Sequence, residues 1–175
     1  MPSPVAHALA GLTVHLLAAR DLDDVWDPRR ALVVVGAALA PDLDLLFQFV
    51  DGRNHHSAQT HGIGFALMAA GAAALLARLL AARRPLVLGA AAGLGWGSHI
   101  LLDYLNRDTN PPIGIMAFWP FSRGYYKFPW PVFLDIGRTL DWETARHDAL
   151  AVAWETAVLL PLVMVAWRLR FGRGG

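Results

Sequence analysis

The sequence contains no cysteine among its 175 residues, which excludes thiolate metal ligands, disulfide bonds and cysteine nucleophiles. Charged residues are also scarce, since they make up 17% of the chain against about a quarter in soluble domains. The net charge of only +1, without a basic stripe, argues against a nucleic-acid partner. Hydrophobic residues reach 55%, and the mean hydropathy is +0.39. This composition predicts a membrane protein.

Long apolar segments predict the fold. Four of them have about the ~20 residues that a helix needs to cross a bilayer: residues 31–50, 62–82, 85–105 and 149–169. A shorter apolar stretch, residues 4–19, lacks the basic flank of a cleavable signal peptide, so we expect a retained first helix. The chain therefore predicts one all-α domain over residues 1–175, a polytopic membrane bundle of four to five transmembrane helices.

The positions of the arginines predict the orientation. Arg29 and Arg30, Arg83 and Arg84, and the C-terminal RLRFGRGG fall on one side when the helices alternate, and arginines in short loops mark the cytoplasmic face. The long segment 106–147 then lies outside. Its many aromatic residues are typical of an interfacial belt or a cap over the helices, with a lid that guides a lipid as the alternative. We expect a multi-pass protein of the inner (cytoplasmic) membrane.

Histidine and aspartate residues from four separate stretches of chain converge on this predicted outer side. They are His7, Asp42, Asp44, His56, His61, His99 and Asp103. His99 and Asp103 are four residues apart, so they lie on one face of a helix and can coordinate one ion. Imidazole and carboxylate ligands suit Zn²⁺, Mn²⁺ or Fe²⁺. These seven residues predict a divalent metal site, with zinc as the first choice.

The proline before the acidic pair is part of this prediction. Asp42 and Asp44 would face apart on a regular α-helix, but Pro41 removes a backbone hydrogen bond and can restart the helix as a turn. One acid would then face the metal, and the other would face an imidazole ligand. Acids at membrane depth are costly without a cation, which a metal supplies. Outside this set we assign His15 to helix packing and His55 to the loop surface.

Short motifs carry a family resemblance. An N-terminal histidine followed by PDLDLL, HHSAQTH, HILLDYLN and FWPFSR resembles the YdjM-type family of membrane-bound, metal-dependent hydrolases, from His7 to about Arg123. That family is distantly similar to the zinc-dependent phospholipase C and single-strand nuclease group. The resemblance implies that the seven residues hold metal. Where the family commonly has Arg and Ser after its loop histidines, this chain has Ser57 and Gly62, so Arg53 or Arg123 would have to hold a phosphate.

The resemblance implies a membrane-bound hydrolase that acts on a phosphoester, and a site that opens at the membrane interface makes a lipid-like substrate the natural one. A metal-activated water would attack a phosphorus or carbonyl centre. Asp44 would act as general base or would orient a ligand, and Arg123 would stabilise the developing oxyanion. Glu155 either bonds across the bundle or joins the site. The alternatives are a non-catalytic protein with a structural metal, and a metal or proton transporter, which the apolar inner halves of the helices disfavour.

Overall fold

The computed structural model describes residues 1–47, 50, 52, 56–109, 111–137 and 139–172. The α-helices are α1 (Pro4–Ala18), α2 (Leu22–Trp26), α3 (Pro28–Leu39), α4 (Ile63–Leu79), α5 (Pro85–Tyr104) and α6 (Trp142–Phe171). Two 3₁₀-helices cover Ala40–Phe47 and Gln59–His61. The described residues contain isolated β-bridges but no β-strand, so the all-α prediction is confirmed.

Polar side chains define where several helices begin. Ser3 caps α1 by accepting a hydrogen bond from the backbone of Ala6. Asp27 caps α3 at the N–H of Arg29, 2.9 Å away. Both helices have proline in the first turn, where the missing N–H costs nothing. These signals are local, and they place the helix starts without help from tertiary packing.

The predicted number of membrane-spanning helices needs correction. By length and composition, only α5 and α6 among the described helices can cross a bilayer, while α1 and α4 are apolar but shorter. The predicted span over residues 31–50 is broken, because α3 ends at Leu39 and the 3₁₀-helix begins at Ala40. The twelve residues of α3 extend about 18 Å, too short for a ~30 Å core. Pro41 causes the break, since it has no N–H to continue the α-helical ladder.

The helices pack as a bundle in which α1 and α5 are central. Helix α1 contacts α3, α5 and α6, and α5 contacts α1, α3 and α4. Small residues allow these close approaches: a Cβ on Gly89 of α5 would lie 2.6 Å from the carbonyl oxygen of Ala70 on α4. Such contacts between small residues are how helices associate in lipid, where burial of apolar surface gives little driving force.

A second close approach, between α3 and α5, bears directly on the site. A Cβ on Gly95 would lie 2.6 Å from the carbonyl oxygen of Val34. One turn further along both helices, the Nδ1 atom of His99 lies 2.8 Å from the carbonyl oxygen of Ala38. Because the two contacts follow the same seam, the glycine sets the helix spacing that lets the histidine reach its backbone partner.

The aromatic-rich segment forms a cap over the ends of α4 and α5. The carbonyl of Trp119 accepts from the N–H of Gly64 at 2.8 Å, at the start of α4. The carbonyl of Tyr104, at the end of α5, accepts from the N–H of Phe128 at 2.8 Å. The segment is shorter than the predicted 106–147, because Asp141 caps the N–H of Thr144 and α6 begins there.

Three arginine-bearing parts of the chain lie at the opposite end of the bundle. Asp24 on α2 pairs with Arg30 at 3.4 Å and with Arg84, before α5, at 4.0 Å. The last turn of α6, with Arg168 and Arg170, lies beside α2 at the same end. The predicted grouping of these arginines on one side therefore agrees with the packing.

Candidate metal centre

The structure brings all seven predicted histidine and aspartate residues into one buried cluster. They come from the first half of α1, the 3₁₀-helix after Pro41, the segment leading into α4, and the last part of α5. His7, His61 and His99 have no exposed surface, and Asp44, His56 and Asp103 are at most 5% exposed. Only Asp42 is partly exposed. Carboxylates buried this close together carry negative charge that a cation or a proton has to compensate.

Four donor atoms form the centre of the cluster. The Nε2 atoms of His61 and His99 lie 3.2 Å apart, and they lie 3.1 and 3.2 Å from Oδ2 of Asp103. Oδ1 of Asp42 lies 3.5 Å from Nε2 of His99 and 3.8 Å from Nε2 of His61. Around a tetrahedral Zn²⁺ with bonds of about 2.0–2.2 Å, donor atoms lie about 3.3–3.6 Å apart. The separations in the structure, 3.1–3.8 Å, bracket this range.

Hydrogen bonds on the far sides of the two rings fix which nitrogen faces the centre. The carbonyl of Ala38 can only accept, so Nδ1 of His99, 2.8 Å away, carries the proton. Nδ1 of His61 lies 3.3 Å from Oδ2 of Asp44, which also accepts from the hydroxyl of Thr60 at 2.6 Å. Nδ1 is therefore the donor on both rings, as is usual for metal-ligating histidines.

The carboxylates at the centre lack hydrogen bonds. Neither oxygen of Asp42 or Asp103 has a hydrogen-bond partner among the described residues, although both groups are buried against imidazole nitrogens. Nitrogen lone pairs aimed at carboxylate oxygens repel one another, so a proton or a metal cation must lie between them. Two imidazoles and two carboxylates are a donor set that Zn²⁺, Mn²⁺ and Fe²⁺ accept. The residues present therefore fit a divalent metal ion.

Asp44 lies outside the four-donor centre, on the far side of the His61 ring. On a 3₁₀-helix, residues two apart project about 120° from each other, against about 160° on an α-helix. The turn after Pro41 thus directs Asp42 to the four-donor centre and Asp44 to the outer nitrogens of His61 and His56, the latter at 3.0 Å. Burial raises the pKa of Asp44, but hydrogen bonds from His56, His61 and Thr60 outweigh it and lower the pKa to about 2. The group is ionised at neutral pH.

The pKa of His61 shows how a proton competes with a metal. Burial lowers this pKa, but the carboxylates of Asp103, Asp42 and Asp44 outweigh burial and raise it well above 6.5. In the metal-free protein, protonated His61 thus stabilises the fold below pH 6.5, and this contribution is lost as the pH rises through the folded-state pKa. A metal must displace that proton, so metal affinity increases with pH.

His7 adds an imidazole beside the four-donor centre. Its ring stacks on that of His99 with centroids 3.7 Å apart, and its Nε2 lies 3.6 Å from Oδ1 of Asp103, the oxygen on the other side of that carboxylate. Neither ring nitrogen has a hydrogen-bond partner among the described residues. His7 therefore provides, next to the centre, an imidazole whose nitrogens form no hydrogen bond with the described residues.

Other predicted residues lie elsewhere. Arg123 is exposed, and no hydrogen bond or ion pair within the described ranges joins it to the cluster, so its predicted role as oxyanion stabiliser stays a prediction. Glu155 bonds across the bundle to the backbone N–H of Ser3 at 3.0 Å and to its hydroxyl, which is one of the two predicted alternatives. Arg53 and His55 lie outside the described residues.

Sequence reasoning missed the groups that hold the ligands in place. Thr60 donates to Asp44, and its carbonyl accepts from the indole N–H of Trp96 at 2.8 Å. His15, assigned to packing, contacts the carbonyl of Val25 through its ring at 3.1 Å. A hydroxyl one residue before a candidate ligand was a signal that could have identified Thr60. No sequence pattern points to the carbonyl of Ala38.

Comparison with known families identifies the chain. The family model described as "YdjM inner membrane protein" matches residues 1–172. No curated protein and no solved structure matches the chain significantly. The chain belongs to the YdjM inner membrane protein family, and its two helices that are long and apolar enough to cross a membrane are consistent with that assignment.

Proposed function

We propose that this YdjM-family chain is a metal-dependent hydrolase of the inner membrane, acting on a phosphoester or lipid-like substrate. Asp42, His61, His99 and Asp103 would hold the metal, with Zn²⁺ first and Mn²⁺ or Fe²⁺ as alternatives. When bound, the ion supplies a Lewis acid that can activate water and polarise a phosphoryl or carbonyl oxygen. The choice of a phosphoester rests on the family resemblance.

The observation that carries the proposal is the surplus of donor groups. Four ligands complete a structural zinc site. Here His7 adds an imidazole without hydrogen-bond partners, 3.6 Å from an equally unpartnered oxygen of Asp103. Asp44 and His56 add a second layer behind His61. Groups beyond the ligand set, placed beside it, are what acid–base chemistry on a substrate requires.

Individual residues would have distinct roles. Asp44 holds the Nδ1 proton of His61 and so orients that ring, and it is a positioning residue in this scheme. The carbonyl of Ala38 does the same for His99. His7 is placed to accept or return a proton next to Asp103, because its nitrogens are not committed to other groups.

The surroundings of the cluster favour an amphiphilic substrate. Leu43, Leu46 and Phe47 are 58–60% exposed on the 3₁₀-helix that carries the two acids. We propose that this apolar surface, together with α1 and α4, lies within the bilayer beside α5 and α6. With the arginine-rich end in the cytoplasm, the cluster then faces the outer side.

A structural metal centre is the second candidate. It is favoured by the enclosure of the donors, because the oxygens of Asp42 and Asp103 have essentially no accessible surface. A closed site of four ligands is typical of structural zinc. Both candidate functions predict a bound metal, but only the hydrolase predicts turnover of a substrate.

An activity assay separates them. Zinc-loaded protein in detergent would be incubated with bis(p-nitrophenyl) phosphate and with phospholipid in mixed micelles. The hydrolase proposal expects turnover above that of zinc alone, loss in Asp103→Asn, and retention in His147→Ala, which removes an exposed histidine outside the cluster. Metal-loaded, folded wild type without turnover on either substrate would favour the structural centre instead.

A further inference from the structure

A groove lies at the arginine-rich end of the bundle, away from the metal centre. It has a volume of about 440 Å³ and is bounded by α1, α2, α6 and the start of α3. Its lining includes Leu12, Val25, Trp26, Val163, Met164 and Arg168. The size falls within the roughly 300–1,000 Å³ of small-molecule sites, and nearly all of the lining is apolar.

The wall contributed by α6 is largely uncovered by the rest of the protein. This helix is the most apolar candidate span, and only 22% of its apolar window is buried in the protein, against 44% for α5. Met164 and Arg168 are exposed. The opposite wall is fixed by the ring of His15, which contacts the carbonyl of Val25 and holds α2 against α1. If α6 crosses the bilayer, as its length and composition allow, the groove opens toward acyl chains.

Arg168 places a positive charge at one end of the groove, and this charge determines which kind of lipid headgroup the groove would favour. Arg168 has no ion-pair partner among the described residues. On α2, Asp24 pairs with Arg30, and Asp21 accepts from the N–H of Asp24. The arginines collected at this end predict the cytoplasmic side, whose leaflet carries the anionic lipids. A free guanidinium beside an apolar groove is complementary to an anionic amphiphile.

We propose that this groove binds one anionic glycerophospholipid from the cytoplasmic leaflet. An acyl chain would occupy the apolar lining, and the phosphate would contact Arg168. A zwitterionic lipid also offers a phosphate, but its cationic headgroup gains nothing from a surface rich in arginine. The site is independent of the hydrolase proposal, because none of its residues belongs to the metal centre.

Native mass spectrometry tests this assignment. Full-length protein would be exchanged into micelles that contain equal amounts of phosphatidylglycerol and phosphatidylcholine with identical acyl chains, and retained lipids would be counted. We expect one phosphatidylglycerol per chain. Arg168→Gln should lower the selectivity for phosphatidylglycerol about fivefold. Arg170→Gln, in the same helical turn but outside the lining, should leave it unchanged.

A second variant tests the groove itself. Ala31 lines it, and Ala31→Phe should fill part of the volume and reduce retention of both lipids. Equal retention of the two lipids by wild type would overturn the headgroup assignment. Equal effects of Arg168→Gln and Arg170→Gln would show diffuse surface charge rather than a site. Unchanged retention by folded Ala31→Phe would place the lipid outside the groove.

Discussion

Replacing Asp44 by Asn tests the layered arrangement of the metal centre. The carboxylate accepts from Thr60 at 2.6 Å and contacts Nδ1 of His56 and of His61 at 3.0 and 3.3 Å. Asparagine has one acceptor oxygen and one NH₂ donor. Its NH₂ would therefore face an N–H or O–H donor in place of a carboxylate oxygen that accepts. His61 would then lose the contact that fixes the nitrogen facing the metal.

The size of the effect follows from this indirect role. Loss of a partner that orients a ligating histidine typically lowers metal affinity by about 10–100-fold, or roughly 1.4–2.8 kcal/mol. Asp42→Asn removes a donor of the centre itself, whose Oδ1 lies 3.5 Å from Nε2 of His99. Its loss should be larger, so affinity should decrease from wild type to Asp44→Asn to Asp42→Asn.

Competition against a fluorescent zinc chelator in detergent, at fixed pH, measures these affinities. Asp135→Asn is the matched control, because that acid bonds Thr109 outside the cluster. The reasoning is refuted if Asp44→Asn binds zinc as tightly as Asp135→Asn. It is equally refuted if Asp44→Asn loses zinc as completely as Asp42→Asn, since Asp44 would then be a direct ligand.

Three further predictions concern packing and pH. Gly95→Ala should destabilise the protein by about 1–3 kcal/mol and weaken zinc binding, whereas Gly97→Ala, where a Cβ meets open space, should do neither; detergent-based unfolding and chelator competition measure both. Heating metal-free protein should give a Tm that falls as the pH rises above about 6.5, because the unfolded chain then releases a proton that folded His61 retains, while zinc-loaded protein should not show this fall. Glu155→Ala should cost about 1–2 kcal/mol, because Ser3 loses two hydrogen bonds inside the bundle; an unchanged unfolding midpoint would contradict this.

Composition and local signals were enough to predict much of the fold. The apolar runs located α4, α5 and α6 to within a few residues, except at the start of α6. There the capping residue Asp141 adds a polar first turn that hydropathy does not detect. The predicted number of spans was too high for two reasons. Pro41 ends the α-helical geometry inside one apolar run, and the helices in two other runs, α1 and α4, are shorter than a candidate span. Run length alone does not distinguish a span from a helix followed by a tight turn.

The site was predictable where residue type and spacing carry the information. His99 and Asp103, one turn apart on α5, were expected to share a face, and their donor atoms lie 3.2 Å apart. The position of Arg123 was not predictable, since it depends on the path of an irregular segment. The stacking of His7 on His99 depends on how α1 packs against α5, which no local pattern encodes.

X-ray absorption at the metal edge, on protein stripped with chelator and reloaded with Zn²⁺, tests the central claim most directly. We predict one zinc per chain with four nitrogen or oxygen donors at about 2.0–2.2 Å, two of them showing the outer scattering of imidazole. Protein that retains no zinc after dialysis, or zinc without imidazole scattering, would contradict it.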